Sequence, residues 1–233
     1  MSIPSFYEPS LNAGITQFTL SEPSSKHCVQ VLRMQASDIL HITNGVGDQF
    51  TATIIQAHKK ETVVQINDHQ FIPKSAQKII LGISLLKNAV RLEWLLEKAT
   101  EMGVHTIVPL ICERTIHERF KMDRMQNILQ SAMIQSQQAW LPQLASPLTF
   151  TECLKQYQAS DKFIAHCEPG DKKNIKDLPP SNDCILLIGP EGDFSLDEIA
   201  QSIQQHYEAI HLGPTRLRTE TAGIFALSVL KKF

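Results

Sequence analysis

A chain of 233 residues that is 42% hydrophobic carries enough apolar material for one large core or two small ones. Its formal net charge of -2 lends no support to a nucleic-acid partner, because proteins that grip phosphate backbones commonly show a basic excess or a basic face. No apolar stretch is long enough to cross a bilayer, and the start Met1-Ser2-Ile3-Pro4-Ser5 has neither the basic nor the apolar region of a signal peptide, so a cytoplasmic protein is expected.

In chain order, residues 15–71 read mostly as short strands. These run over 39–43, 50–57 and 62–66, separated by the turn Asn44-Gly45-Val46-Gly47 and a polar turn at Lys59-Lys60. The pattern predicts a small β-barrel as a first domain, residues 1–72. Within it, residues 26–34 are expected to form a short helix, with Val29, Val31 and Leu32 packed inward and His27 and Arg33 outward. Pro73-Lys74-Ser75-Ala76-Gln77 reads as a linker. Residues 79–86 then begin an alternation of strands and helices, with helices expected near 88–102, 122–140, 152–158, 195–205 and 221–232. That is the order of an α/β domain, residues 73–233. Arg114, Arg119, Lys121 and Arg124 gather in its first half, interleaved with Glu113, Glu118 and Asp123; a solvated helix face accounts for them as well as a phosphate-binding patch does.

The last part of the chain holds two loops broken by Gly and Pro. The Leu-rich run 184–188 has the character of a strand buried on both faces, and Gly189-Pro190-Glu191-Gly192 follows it. Ser195-Leu196-Asp197-Glu198 then forms a capping box, so the turn ends in a helix N-terminus. Residues 210–212 repeat the scheme, leading through Gly213-Pro214-Thr215-Arg216-Leu217-Arg218-Thr219-Glu220 into a helix that is apolar on nearly every side. Such a helix must be buried, in its own chain or partly against another subunit. The third glycine of the dinucleotide fingerprint is missing, and so is the lysine of a phosphate-binding loop. Ordinary strand-to-helix turns also use Gly and Pro; what distinguishes the second loop is its cluster of Arg216, Arg218, Thr219 and Glu220 between two apolar elements. Five cysteines without a C-x-x-C pair read as reduced thiols, and the nine scattered histidines give no metal site.

Gly189-Pro190-Glu191-Gly192, followed by Leu212-Gly213-Pro214 and Leu217-Arg218-Thr219-Glu220-Thr221-Ala222, resembles the SPOUT-class RNA methyltransferases. Within that class it resembles the enzymes that make N3-methyluridine in 16S rRNA. The resemblance extends to Lys87, Arg91, Glu93-Trp94, Lys98-Ala99-Thr100-Glu101 and Gly103-Val104, and to His27 with Val31-Leu32-Arg33. It implies a PUA-like RNA-binding barrel followed by a parallel-sheet domain tied in a trefoil knot, a bent S-adenosylmethionine as cofactor, and a homodimer acting on 16S rRNA in the small ribosomal subunit. It places the cofactor against the backbone of Leu187, Gly189, Gly192, Leu212, Leu217 and Thr219.

Transfer from a sulfonium asks for alignment with uracil N3 and removal of the imide proton. Arg218 is the candidate for holding negative charge on the uracil oxygens, or else pairs with Glu220 to shape the loop. Glu220 either takes the proton or caps the helix. Lys87 and Arg91, four residues apart, suit rRNA phosphate, while Arg91 also has Glu93 or Glu97 within local reach; His27 and Arg33 are further candidates for RNA contact. The target base must be unpaired or flipped.

Two departures stand out. Where the family often carries arginines, this chain has Gln138 and Trp140 after Gln135-Ser136, leaving Trp140 either as a stacking surface or as core. Asp193 stands where a glycine is usual. A different RNA modification, a non-catalytic RNA-binding role, and a phosphate-handling enzyme with its site at the Ser195 helix start remain open alternatives.

Overall fold

The computed structural model describes residues 3–231, so the expected helix end at Lys232 lies outside the described residues. The chain divides into two compact units. One comprises Met1–Lys74 with Gln130–Leu141, the other Ser75–Leu129 with Pro142–Phe233.

In the first unit, β1 (Ser5–Tyr7), β2 (Gln17–Thr19), β3 (Ile39–Thr43), β4 (Asp48–Gln56) and β5 (Val63–Phe71) form a five-stranded sheet in the order β1-β3-β4-β5-β2. β1 runs parallel to β3 and the other pairs are antiparallel. Leu40, Ile42, Phe50, Ala52, Ile54 and Val64 fall on one face and close over Phe6, Leu11, Leu20 and Cys28. Alternate residues face away from that core, as a period of two requires.

The expected helix over 26–34 is instead a short α1 (Glu22–Lys26) running into a π-helical turn, His27–Val31. The wider turn, closed by Leu32 N–H donating to the His27 carbonyl at 3.0 Å, shifts the helical phase. Val31 and Leu32 are therefore exposed, at 63% and 40%, and Cys28 and Met34 take the inward positions. Arg33 then reverses the chain with φ 57.

The second unit is built on an eight-stranded sheet ordered β11-β13-β10-β12-β6-β7-β8, with β9 also pairing β7 and every pair parallel. Its elements in chain order are β6 (Lys78–Ser84), α2 (Ala89–Glu101), β7 (Thr106–Ile111), α3 (Met122–Gln135), β8 (Gln143–Leu144), β9 (Leu148–Thr149), α4 (Phe150–Gln156), β10 (Asp161–Ala165), β11 (Lys173–Asn174), β12 (Asp183–Ile188), α5 (Leu196–Gln204), β13 (Glu208–His211) and α6 (Thr219–Leu230). Cys184 to Ile188 of central β12 are 0–3% exposed. At about 1.5–3 kcal/mol for each large apolar side chain removed from water, that run anchors the core.

Helix ends follow their local chemistry. The Asn88 side chain accepts from Val90 N–H at the start of α2, and Ser195 with Glu198 makes both bonds of the expected capping box at α5. α3 stops at Gln135, short of the expected 140. Gln137 turns left-handed at φ 55, and Gln138 and Gln137 N–H groups return to the carbonyls of Met133 and Ile134 in a Schellman ending. Trp140 is thus not helical. Its indole N–H donates to the Ile72 carbonyl at 2.8 Å, Phe71 meets its ring edge-on, and the Lys74 ammonium sits 5.1 Å from its centroid. Only one side of α6 is fully buried in its own chain, through Ala222, Gly223, Ala226, Leu227 and Leu230; Ile224, Phe225 and Val229 are half-exposed.

Candidate functional site

The C-terminal ends of β10, β12 and β13 open onto one cavity of about 730 Å³, within the size range of small-molecule sites and at the sheet edge where open α/β folds bind ligands. The Gly189–Asp193 and Leu212–Arg218 loops supply two walls, and the third, His166 to Glu168 with Lys172, follows β10. Ile188, Ile210 and Ala222 give it an apolar floor.

Among the expected cofactor residues, Gly189, Gly192, Leu212, Leu217 and Thr219 line this cavity. Leu187 does not: it is 0% exposed within β12, its side chain packed into the core with Val108, Leu110 and Phe194. Gly189 is glycine for a reason inside the protein, since a Cβ there would come within 3.1 Å of Phe194. At Gly192 a Cβ would make ordinary contact with Arg114.

Arg218 lines the cavity at the start of α6, exposed and without a side-chain partner among the described residues; Arg216 shares that rim. Glu220 faces away from the cavity and is 8% exposed. Its Oε1 lies 3.6 Å from Arg91 Nε, and its buried Oε2 makes no hydrogen bond among the described residues. The Arg218–Glu220 and Arg91–Glu93 or Arg91–Glu97 pairings considered from the sequence are therefore replaced by Arg91–Glu220, because α2 packs on α6; Glu93 pairs with Arg124 and Glu97 with Lys98. The Lys87 side chain is exposed, and its backbone N–H donates to Glu191 Oε1 at 3.2 Å. His27 and Arg33 are exposed residues of the first unit. No cluster of histidine, cysteine or acidic side chains suited to a metal occurs among the described residues.

Two site residues, Arg114 and His166, carried no readable signal of their role, and Asp193 stood out only as taking the place of a usual glycine. Arg114 sits in the loop after β7, where its Nη1 donates to the Gly192 carbonyl at 2.8 Å, so the basic cluster 114–124 is not one solvated helix face. Asp193 has φ 65, the backbone that favours a glycine. Its carboxylate repays the strain by accepting from Cys167 N–H at 2.7 Å and Phe194 N–H at 2.8 Å, tying two walls together. His166 has both ring nitrogens shielded from solvent. Burial first and then the Lys172 ammonium depress its pKa, outweighing Asp193 and Glu168.

Residues 73–231 match the model of an RNA methyltransferase domain and residues 20–67 that of an RNA methyltransferase PUA domain. The chain is 32% identical over 224 residues to the ribosomal RNA small subunit methyltransferase E of Buchnera aphidicola, covering 92% of this chain and 87% of that one. Among solved structures it superposes on a putative methyltransferase from Legionella pneumophila in complex with the bound cofactor SAM, with TM-score 0.90, 33% identity and coverage of 99% and 97%. It likewise superposes on ribosomal RNA small subunit methyltransferase E of Neisseria gonorrhoeae bound to S-adenosyl methionine, with TM-score 0.87, 28% identity and coverage of 97% and 96%. A two-unit chain with a PUA-type sheet and a loop-walled cavity on a parallel sheet thus belongs to the RNA methyltransferase family, alongside the ribosomal RNA small subunit methyltransferase E proteins.

Proposed function

We propose that this protein is an S-adenosylmethionine-dependent methyltransferase that methylates N3 of a specific uridine in 16S rRNA of the small ribosomal subunit. The observation that carries this reading is Arg218, exposed and without a side-chain partner among the described residues, on the rim of a cavity walled by the glycine- and proline-bearing loops 189–193 and 212–218. The residues present fit the cofactor. The volume suits it, the apolar floor accepts an adenine ring, and the walls at Gly189, Gly192, Leu212, Leu217 and Thr219 offer main-chain donors and acceptors. When bound, S-adenosylmethionine supplies an electrophilic methyl group on a sulfonium.

The chain's own residues then have two tasks. Arg218 presents a fixed cation and a donor fork to the uracil oxygens, stabilising the negative charge that builds up as N3 gives up its proton to solvent water. The Arg91–Glu220 pair joins α2 to the first turn of α6 and so holds Arg218 and Thr219 in place; Glu220 serves as a positioning residue and not as the base. Lys87, with His27 and Arg33 on the first unit, is left to meet rRNA phosphates. Dimerisation would cover the half-exposed Ile224, Phe225 and Val229, and the resemblance supports a trefoil knot around the cavity.

Small subunits from a strain lacking the gene, incubated with labelled S-adenosylmethionine and digested to nucleosides, provide the test. Label in N3-methyluridine, lost with Arg218→Ala, supports the whole reading. Label in another nucleoside overturns the target, and failure to bind the cofactor overturns the enzyme.

A further inference from the structure

The first unit contains a second cavity, of about 210 Å³, that the proposed transfer does not use. Its floor is built from two neighbouring cross-strand rows. Ser5, His41, Thr51 and Asp68 are successive register partners across β1, β3, β4 and β5, and Thr43, Gln49 and Gln70 form the next row. Residues 41, 43, 49 and 51 alternate with the core residues Leu40, Ile42, Phe50 and Ala52, so these rows stand on the face away from the core. Asp68 and Gln70 would fall on the core face with Ile66, but the register shift between Thr51 and Ala52 turns them outward. The end of α3 makes the wall, through Ile134, Gln137 and Gln138, and Gln49 Nε2 fastens it by donating to the Gln137 carbonyl at 3.1 Å. His41 Nδ1 lies 3.3 Å from the Thr51 hydroxyl, which orients its ring.

The chemistry of this lining selects its ligand. Among the described residues no lysine or arginine borders it, which disfavours a phosphate site, and its amides, hydroxyls and imidazole offer both donors and acceptors at close quarters. A small planar heterocycle with a mixed hydrogen-bonding edge suits such a lining, and the carboxylate of Asp68 favours an edge that carries an exocyclic amino group, which adenine, cytosine and guanine have and uracil lacks. We propose that this cavity receives one unpaired, donor-bearing nucleobase of the RNA substrate, and that Asp68 and Gln70 read its edge. The proposal rests on the RNA methyltransferase reading and adds a specificity site to it.

Asp68 and Gln70 are both exposed, so Asp68→Ala/Gln70→Ala leaves the core untouched. The full-length protein is titrated with short single-stranded RNA homopolymers followed by fluorescence anisotropy, and methyl transfer to small subunits is measured in parallel. Expected are tighter binding of adenine, cytosine or guanine oligomers than of an abasic ribose-phosphate oligomer, and about a tenfold loss of that preference in the double variant. KM for small subunits should rise by a similar factor, with kcat and S-adenosylmethionine affinity unchanged. Equal binding of the abasic oligomer, or a variant with unaltered base preference and KM, overturns the pocket while leaving methyl transfer standing. A wild type that transfers no methyl overturns the enzymatic reading, and the base preference of the oligomers then decides the pocket by itself.

Discussion

Removing the Arg91 guanidinium tests the link between α2 and the site most directly. Glu220 is buried, with Oε2 already lacking a hydrogen bond, and its one ionic partner among the described residues is Arg91 at 3.6 Å. Breaking a fully buried pair by deleting one partner costs about 3–5 kcal/mol, whereas exposed pairs are worth about 0.2–1 kcal/mol. With the Arg91 side chain 38% exposed and that of Glu220 10% exposed, the cost of Arg91→Ala falls between these limits, at about 2 kcal/mol. For a chain of this length that lowers Tm by roughly 4–8 °C. Because the loss arises from a stranded carboxylate, Arg91→Ala/Glu220→Gln should recover at least half of it, giving a coupling of about 1 kcal/mol in a double-mutant cycle followed by urea and thermal unfolding. An Arg91→Ala variant with unchanged Tm and a raised KM for small subunits would refute the reasoning and return Arg91 to the RNA surface.

Arg218→Ala should lower kcat about 10²–10³-fold with Tm unchanged, and Arg218→Lys should restore only part of it, because a point charge lacks the donor fork; single-turnover methyl transfer measures both. Gly213 has φ 124 with open space around its missing Cβ, so Gly213→Ala should cost about 1–3 kcal/mol through backbone strain alone, visible in urea unfolding together with weaker S-adenosylmethionine binding in calorimetry. The pKa of His166 is held below its ordinary value near 6.5, so below that pH the unfolded chain takes up the proton more readily than the folded one. Stability should therefore fall as pH drops through the mid-6 range, and His166→Gln should flatten that fall when unfolding free energies at pH 7.5 and 5.0 are compared. Asp193→Gly relieves the left-handed backbone but removes the bond to Cys167 N–H; hydrogen exchange at Cys167 should accelerate more than global stability declines.

Much of the second unit was legible in its sequence because its signals are local. The apolar run before Gly189 and the Ser195–Glu198 capping box each act within a few residues, and their elements form where expected. What escaped depends on parts of the chain that are far apart in sequence. The His166–Lys172 wall belongs to the cavity only because β10 lies between β12 and β13, and no motif announces it. Arg91 meets Glu220 through helix packing, so its nearer acidic neighbours were the natural but mistaken partners. The phase slip at His27–Val31 and the left-handed Gln137 are backbone events that hydrophobic spacing does not register, and they put Val31, Leu32 and Trp140 where an unbroken helix would not.

The grouping of Gln130–Leu141 with the first unit has a bearing on how the protein is made. Trp140 closes the first sheet through Val46 and Ile72, so that unit has its full set of contacts only after residue 141 has been synthesised. A nascent chain emerging from the ribosome must carry β6, α2 and β7, the opening elements of the second unit, before the first can finish folding. Cleaving the chain after Lys74 would therefore release an N-terminal fragment lacking its closing strap, and expression of the two halves as separate genes would require the strap to be grafted back onto the first.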